Sequence, residues 1–173
     1  NLLGSDNDDT LTGDANANII IGAKGVDTIN GGAGNDTIWG DCSTSACKTL
    51  ISQNQSSYSL DESYWGSSGK NDILNGGAGD DTIYGEIGDD TIDGGAGNDT
   101  IISGSGSDVI IITSSSDSDT LSDFTDGTDA IGFDSSITSS NLVIAASGSD
   151  TVIKNGSDIL LTLTGISSTN VTA

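Results

Sequence analysis

The chain contains no histidine and no arginine, and its only basic residues are four lysines set against 26 acidic residues. Without histidine, neither a Ser-His nor a Cys-His pair can be assembled, which removes the common nucleophilic machineries. A net charge of −22 disfavours nucleic acid and anionic membrane as partners. Aromatic residues are 4% of the chain and hydrophobic residues 33%, a composition that on its own points toward disorder. No run approaches the ~20 apolar residues of a membrane span. Residues 1–20 lack a basic start followed by an apolar stretch, so no signal peptide is read there. There are only two cysteines, Cys42 and Cys47, close together in a Ser-rich stretch. With no histidine to complete a zinc site, they suggest a small disulfide loop made in an oxidising compartment; two buried free thiols are the plainer alternative.

What the chain does have is a nonapeptide period. Gly31-Gly32-Ala33-Gly34-Asn35-Asp36-Thr37-Ile38-Trp39 reads Gly-Gly-x-Gly-x-Asp-x-U-x, with U a large aliphatic residue, and the frame recurs from Gly76, Gly85 and Gly94. Weaker copies start at Gly4, Gly13, Gly22 and Ser103, and a ninth opens at Gly40-Asp41 and closes with Asn71-Asp72-Ile73-Leu74-Asn75. Self-similarity at a fixed period marks a solenoid. Because the sparse aliphatics fall in register, the composition reads as a roll with a narrow core rather than as disorder. The expected fold class is all-β, a parallel β-roll with two nonapeptides per coil.

In each repeat the first six positions make a turn and the last three a strand. Glycines at the first, second and fourth positions allow backbone conformations that a Cβ would forbid and let carbonyl oxygens converge. The acidic residues are almost all Asp, with only Glu62 and Glu86 as exceptions. Short carboxylates suit tight turns and hard cations that take oxygen ligands. Turns two repeats apart should stack, placing Asp9, Asp27, Asp72, Asp90 and Asp108 on one side and Asn18, Asp36, Asp81 and Asp99 on the other. At a strand spacing of about 4.8 Å, neighbouring carboxylates repel by roughly 1–3 kcal/mol. Six or seven such pairs rival the ~5–15 kcal/mol stability of a whole domain, so the stack calls for divalent cations. Calcium takes about 6–8 oxygens, more than one turn supplies, so two stacked turns should share an ion. Asn18 replaces a carboxylate, Lys24 adds a positive charge, and the interruption parts Asp72 from its glycines. The inward position reads Leu11, Ile20, Ile29, Ile38, Leu74, Ile83, Ile92, Ile101 and Ile110, a two-ladder core.

The expected organisation is a first part of the roll at 1–40, an inserted excursion at 41–71, a second part of the roll at 72–111 and a β-rich C-terminal cap at 112–173. Asn155-Gly156, between two short apolar runs, is a hairpin signal. The chain opens in mid-repeat, as a piece of a longer protein would.

Over residues 4–111 these repeats resemble the repeats-in-toxin (RTX, hemolysin-type calcium-binding) family. Asp119-x-Leu121-x-Asp123-Phe124-x-x-Gly127-x-Asp129-x-Ile131 is similar to the segment after the roll in serralysin-type proteases and alginate epimerases, and Ile159 to Ile166 is similar to the last strand of such caps. The resemblance implies Ca2+, about five to seven ions, each held by carbonyls from the second and fourth positions of one turn and the first and third of the next. The sixth-position Asp would bridge adjacent ions. That scheme enlists Gly31, Gly32, Ala33, Gly34 and Asp36; Gly76, Gly77, Ala78, Gly79 and Asp81; Gly85, Ile87, Gly88 and Asp90; and Gly94, Gly95, Ala96, Gly97 and Asp99, with Asp123 closing a last site near the cap. It also implies a secreted bacterial protein, exported by a type I system and folding outside the cell. Two features depart from the pattern: the excursion, and a final Ser167 to Ala173 that lacks an apolar export tail. The zinc-binding histidine cluster of serralysins is absent, and no catalytic site is expected in this chain.

The alternative function is adhesion or self-assembly. The ninth positions Ile21, Trp39, Tyr84 and Ile102 should line one sheet, with Trp39 and Tyr84 on adjacent rungs. A contiguous patch of this kind usually means contact, whether with another subunit, a cell surface or a glycan. Alternatively, Tyr58, Tyr64 and Trp65 of the excursion fold back and cover it.

Overall fold

The computed structural model describes residues 1–42, 69–113, 117–135, 137 and 139–171. The last positions of each nonapeptide form a strand, and successive strands alternate between two facing sheets. One sheet stacks β1 (Leu2–Leu3), β3 (Ile19–Ala23), β5 (Thr37–Asp41), β7 (Thr82–Tyr84), β9 (Thr100–Ile102) and β11 (Asp119–Leu121) in parallel. The other stacks β2 (Thr10–Thr12), β4 (Thr28–Ala33), β6 (Ile73–Ala78), β8 (Thr91–Ala96), β10 (Val109–Ile112) and β12 (Ala130–Phe133). The fold is an all-β parallel β-roll.

Register follows the aliphatic position. Ile20 pairs with Ile38 and Leu74 with Ile92, each two repeats apart. Across the interruption, Ile29 pairs with Leu74 and Ile38 with Ile83, so the interruption lengthens the chain between coils without shifting a single rung. Ile20, Ile29, Ile38, Leu74, Ile83, Ile92, Ile101 and Ile110 are all buried to within 1% of complete exclusion from solvent. Leu11, in the first coil, is half-buried against them. Each fully buried side chain contributes about 1.5–3 kcal/mol, which concentrates the apolar stabilisation in two files one residue wide.

Beyond the repeats, β13 (Leu142–Ser147), β14 (Asp150–Asn155) and β15 (Asp158–Leu163) form an antiparallel meander. It joins the first sheet through β15, which lies parallel to β11 with Leu121 opposite Leu163. Leu160, Leu161 and Leu163 are continuous with the core of the roll through Leu121 and Phe124. The turns are Gly148-Ser149 and Gly156-Ser157, with Gly148 at φ +68° and Gly156 at φ +66°. A positive φ at the first turn residue alone is the II′ arrangement that matches strand twist. The hairpin is therefore one residue later than the Asn155-Gly156 signal suggests, because Asn155 stays in the ladder opposite Asp158.

Ile21, Trp39 and Cys42 form a second, smaller buried cluster on the outer side of the first sheet, with Leu3, Ile19 and Tyr84 packed against it. Trp39 stacks on Tyr84 with ring centroids 5.0 Å apart and planes 6° from parallel. The two are adjacent rungs, as their spacing suggests, but Trp39 is only 4% exposed, so this is packing rather than an open aromatic face. Cys47, Tyr58, Tyr64 and Trp65 lie outside the described residues, and with them the expected disulfide and the expected fold-back of the excursion.

Candidate metal centre

The turns stack into two columns, and one hydrogen bond repeats along both. On one side the backbone N–H of Asp9 donates to Asp27 Oδ1, Asp27 to Asp72, Asp72 to Asp90 and Asp90 to Asp108, at 2.8–2.9 Å. On the other, Asn18 donates to Asp36, Asp36 to Asp81 and Asp81 to Asp99, at 2.6–2.8 Å. The carboxylates expected to share a side thus do share one, each bonded to the coil before it.

That bond uses only one carboxylate oxygen. The second, Oδ2, of Asp27, Asp36, Asp72, Asp81, Asp90, Asp99, Asp108 and Asp119 is buried with no hydrogen-bond partner. An unsatisfied buried polar group costs about 1–3 kcal/mol, and more when charged. Eight of them in register is a systematic demand for positive charge. Burial pushes these carboxyls upward against the pull of the backbone N–H, and neighbouring carboxylates add to the rise. Asp72 reaches about 8, Asp90 and Asp119 about 7, and Asp27 and Asp81 about 6.

The glycines act in two different ways. Second- and fourth-position glycines carry positive φ, for example Gly32 (+104°), Gly34 (+103°), Gly77 (+107°) and Gly79 (+130°). Their carbonyls stand in the gaps between coils: a Cβ on Gly77 would lie 2.1 Å from Gly32 O, and one on Gly79 2.3 Å from Gly34 O. First-position glycines have no such φ, so the expectation of a forbidden backbone at that position is corrected. They are needed for room. A Cβ on Gly31, Gly76 or Gly94 would come within 2.4 Å of the Oδ2 of the sixth-position Asp in the same repeat. Carboxylate and carbonyl oxygens alone are the donor set of a hard divalent cation. Among the described residues no three acidic, thiol or imidazole side chains gather to hold a metal ion, so most of any coordination would have to come from the backbone, as the glycine positions allow.

The ends of the columns differ. Asp9 Oδ2 takes hydrogen bonds from Ser5 N at 2.6 Å and Ser5 Oγ at 2.9 Å. Asn18 turns its amide to Asp14 Oδ1 and to the carbonyl of Asn16. Asp129 Oδ2 accepts from Thr125 N at 2.7 Å. Protein hydrogens therefore stand where the central turns have none. Asp123, expected near a last site, accepts from Ser103 N at 3.0 Å and from Gly104 N at 2.8 Å, and so seals the turn at 103–108. Lys24 is drawn off to Asp6 at 3.7 Å on the surface. Asp72 does keep a glycine partner, since its Oδ2 faces Gly40 across the interruption.

Several residues fall outside the periodic reading. Asp119 and Asp129 continue the two columns, accepting from Asp99 N at 3.0 Å and Asp108 N at 3.2 Å. Their spacing from those donors is longer than two repeats, yet the Asp-Thr-Leu and Asp-Ala-Ile that they begin repeat the sixth-to-eighth-position signature. Asp41, buried at 5% exposure, reads in the sequence only as a turn residue. The fifth position carries a ladder of its own, running the other way: Asn98 N donates to Asp80 Oδ1 at 2.9 Å, Asp80 N to Asn35 at 3.3 Å and Ser107 N to Asp89 at 2.8 Å. Asn or Asp at that position in most repeats (Asp8, Asn35, Asn71, Asp80, Asp89 and Asn98) is the signal that points to it.

The model of the RTX calcium-binding nonapeptide repeat matches residues 3–38, 66–101 and 75–110. No curated protein matches the chain. Among solved structures, the chain is similar to the AlgE6R3 subunit of the Azotobacter vinelandii mannuronan C5-epimerase (21% identity, 98% of this chain and 77% of that one, TM-score 0.44). It is also similar to the extracellular lipase LipA of Serratia marcescens (19% identity, TM-score 0.40), where it covers 98% of its own length and spans 38% of the lipase. Repeat sequence and stacked aspartate columns agree: the chain carries RTX calcium-binding nonapeptide repeats over residues 3–38 and 66–110.

Proposed function

We propose that the chain is a calcium-dependent folding module of a larger secreted bacterial protein, unfolded where calcium is scarce and rolled up outside the cell. The row of buried, unpartnered Oδ2 atoms carries this reading. In it, Asp27, Asp36, Asp72, Asp81, Asp90, Asp99 and Asp108 supply carboxylates. Carbonyls of Gly32, Gly34, Gly77, Gly79, Gly88, Gly95 and Gly97, with those of Gly31, Ala33, Gly76, Ala78, Gly85, Ile87, Gly94 and Ala96, complete about five to seven ions. Asp119 joins the ligand set; Asp9, already bonded to Ser5, stands at its edge, and Asp123 acts by closing the turn above. A ligand at ten times its dissociation constant stabilises by about 1.4 kcal/mol per site, so several sites together move a narrow-cored roll from unfolded to folded. A Cys42–Cys47 disulfide and export by a type I system fit the same compartment. The module itself carries out no reaction, because its acidic side chains are committed to the turns. Adhesion or self-assembly is the competing use, but the burial of Trp39 leaves that face little to offer a partner.

Circular dichroism during a calcium titration tests this directly. We expect a disordered spectrum in excess chelator and a cooperative gain of β signal with calcium; an unchanged β spectrum in chelator rejects the proposal.

A further inference from the structure

The interrupted turn is unlike the others. Its first two positions, Gly40 and Asp41, are separated from its third to sixth, Gly69 to Asp72, by the stretch 42–68. In the turns at Gly34, Gly79 and Gly88, the fourth-position N–H donates to a third-position carbonyl of the next coil: Ala78 O, Ala96 O and Ser105 O respectively. Here the fourth-position Lys70 N donates instead to Asp41 Oδ2 at 3.1 Å. The two sides interlock a second time: a Cβ on Gly69 would lie 2.3 Å from Asp41 Oδ2, and one on Gly40 2.4 Å from Asp72 Oδ2. Asp72 Oδ2 is buried and unpartnered. Two carboxylates, 5% and 1% exposed, therefore each reach a glycine on the far side of the interruption, and the nearby Lys70 is exposed. A regular turn has one buried carboxylate and a continuous backbone. This one has two and no short covalent link.

We propose that the interrupted turn is a distinct two-carboxylate cation site, in which Asp41 joins Asp72 on one divalent ion and the ion ties Gly40–Asp41 to Gly69–Asp72. The inference rests on the calcium reading of the other turns and adds a site with more buried carboxylate charge than they have. Affinity in oxygen-ligand sites rises with ligand charge, so this site fills before the regular ones. Joining chain ends separated by a loop carries an entropic cost, and the ion offsets it here, so that calcium fixes where the excursion leaves the roll.

Trp39 lies just before Asp41 in the same strand and serves as an antenna for terbium(III) bound there. The test uses the full chain with Trp65→Phe as background, so that Trp39 is the remaining tryptophan. Terbium luminescence excited through tryptophan is titrated, and calcium-induced β signal is followed in parallel. In Asp41→Asn, which keeps an acceptor for Lys70 N, we expect the luminescence midpoint to rise by about tenfold while the calcium midpoint for β structure moves less than about twofold. Asp81→Asn, in a regular turn, should shift the β midpoint and leave the luminescence midpoint in place. An unchanged luminescence midpoint in Asp41→Asn overturns the site. A parent chain with no calcium-dependent β signal overturns the folding reading instead. If Asp41→Asn does not fold at any calcium level, hydrogen exchange on the parent decides: amides 69–72 protected at lower calcium than amides 94–99 support the site, and simultaneous protection overturns it.

Discussion

The meander extends one of the two sheets of the roll and shares its core, yet the two regions are stabilised by different means. Strands β6 to β9 contribute one buried aliphatic each, stack in parallel, and are each preceded by a turn with a bare buried carboxylate oxygen. Strands β14 and β15 contribute runs of buried residues (Val152 and Ile153; Leu160, Leu161 and Leu163), turn tightly at Gly156, and have no such oxygen among their described residues. One strand geometry is thus supported by apolar burial in one place and by charge neutralisation in another.

Removing calcium should separate the two regions most strongly. In excess chelator we expect amides of β6 to β9 to lose hydrogen-exchange protection before those of β14 and β15; loss in the opposite order breaks the comparison. Acid should act next. The carboxyls of Asp27, Asp72, Asp81, Asp90 and Asp119 are raised above their ordinary value by burial, so the folded, metal-free roll holds protons more tightly than the unfolded chain does. The resulting stabilisation is complete below about pH 4 and disappears as pH rises through the values of about 6 to about 8. In chelator, therefore, β signal should grow on acidification from about pH 8 to about pH 4. With calcium present the trend reverses, because protons displace the ion. A pH-independent spectrum in chelator contradicts the burial of these groups.

A smaller effect is expected within the core. Ile83→Ala, at a fully excluded position, should cost about 2–5 kcal/mol by denaturant unfolding in saturating calcium. The smallest effect sharpens the contrast between turns. Gly79 and Gly156 both have positive φ, but a Cβ on Gly156 meets nothing within 4 Å, whereas one on Gly79 lies 2.3 Å from Gly34 O. Gly156→Ala should cost only the penalty of a positive φ, about 1–3 kcal/mol, and Gly79→Ala more than that together with a raised calcium midpoint. Equal costs would mean that the coils are free to part.

The period reveals what each coil repeats. The Leu and Ile ladder, the two aspartate columns and the Trp39–Tyr84 stack all follow from steps of one and two repeats, because a solenoid turns sequence spacing directly into position. Where the spacing changes, that translation fails. Asp119 and Asp129 occupy column positions at irregular offsets, and only their local Asp-x-U signature points to them. The pairing of β15 with β11 passes over β12, β13 and β14, a long-range choice that alternation does not encode. Asp41 is hidden because its role depends on Gly69 and Lys70, which the sequence places far away. First-position glycine is readable as necessary, but the reason (space for a carboxylate rather than a backbone twist) needs coordinates.

The fifth- and sixth-position ladders run in opposite directions along the roll, so every interior coil both gives to and receives from each of its neighbours. A coil made of two regular turns is thus interchangeable with its like. Excising residues 76–93, or duplicating them, would keep both ladders in step and change the length by about one strand spacing, roughly 4.8 Å. The molecule is a ruler graduated in pairs of nonapeptides, and evolution can set the reach of whatever it carries by counting them.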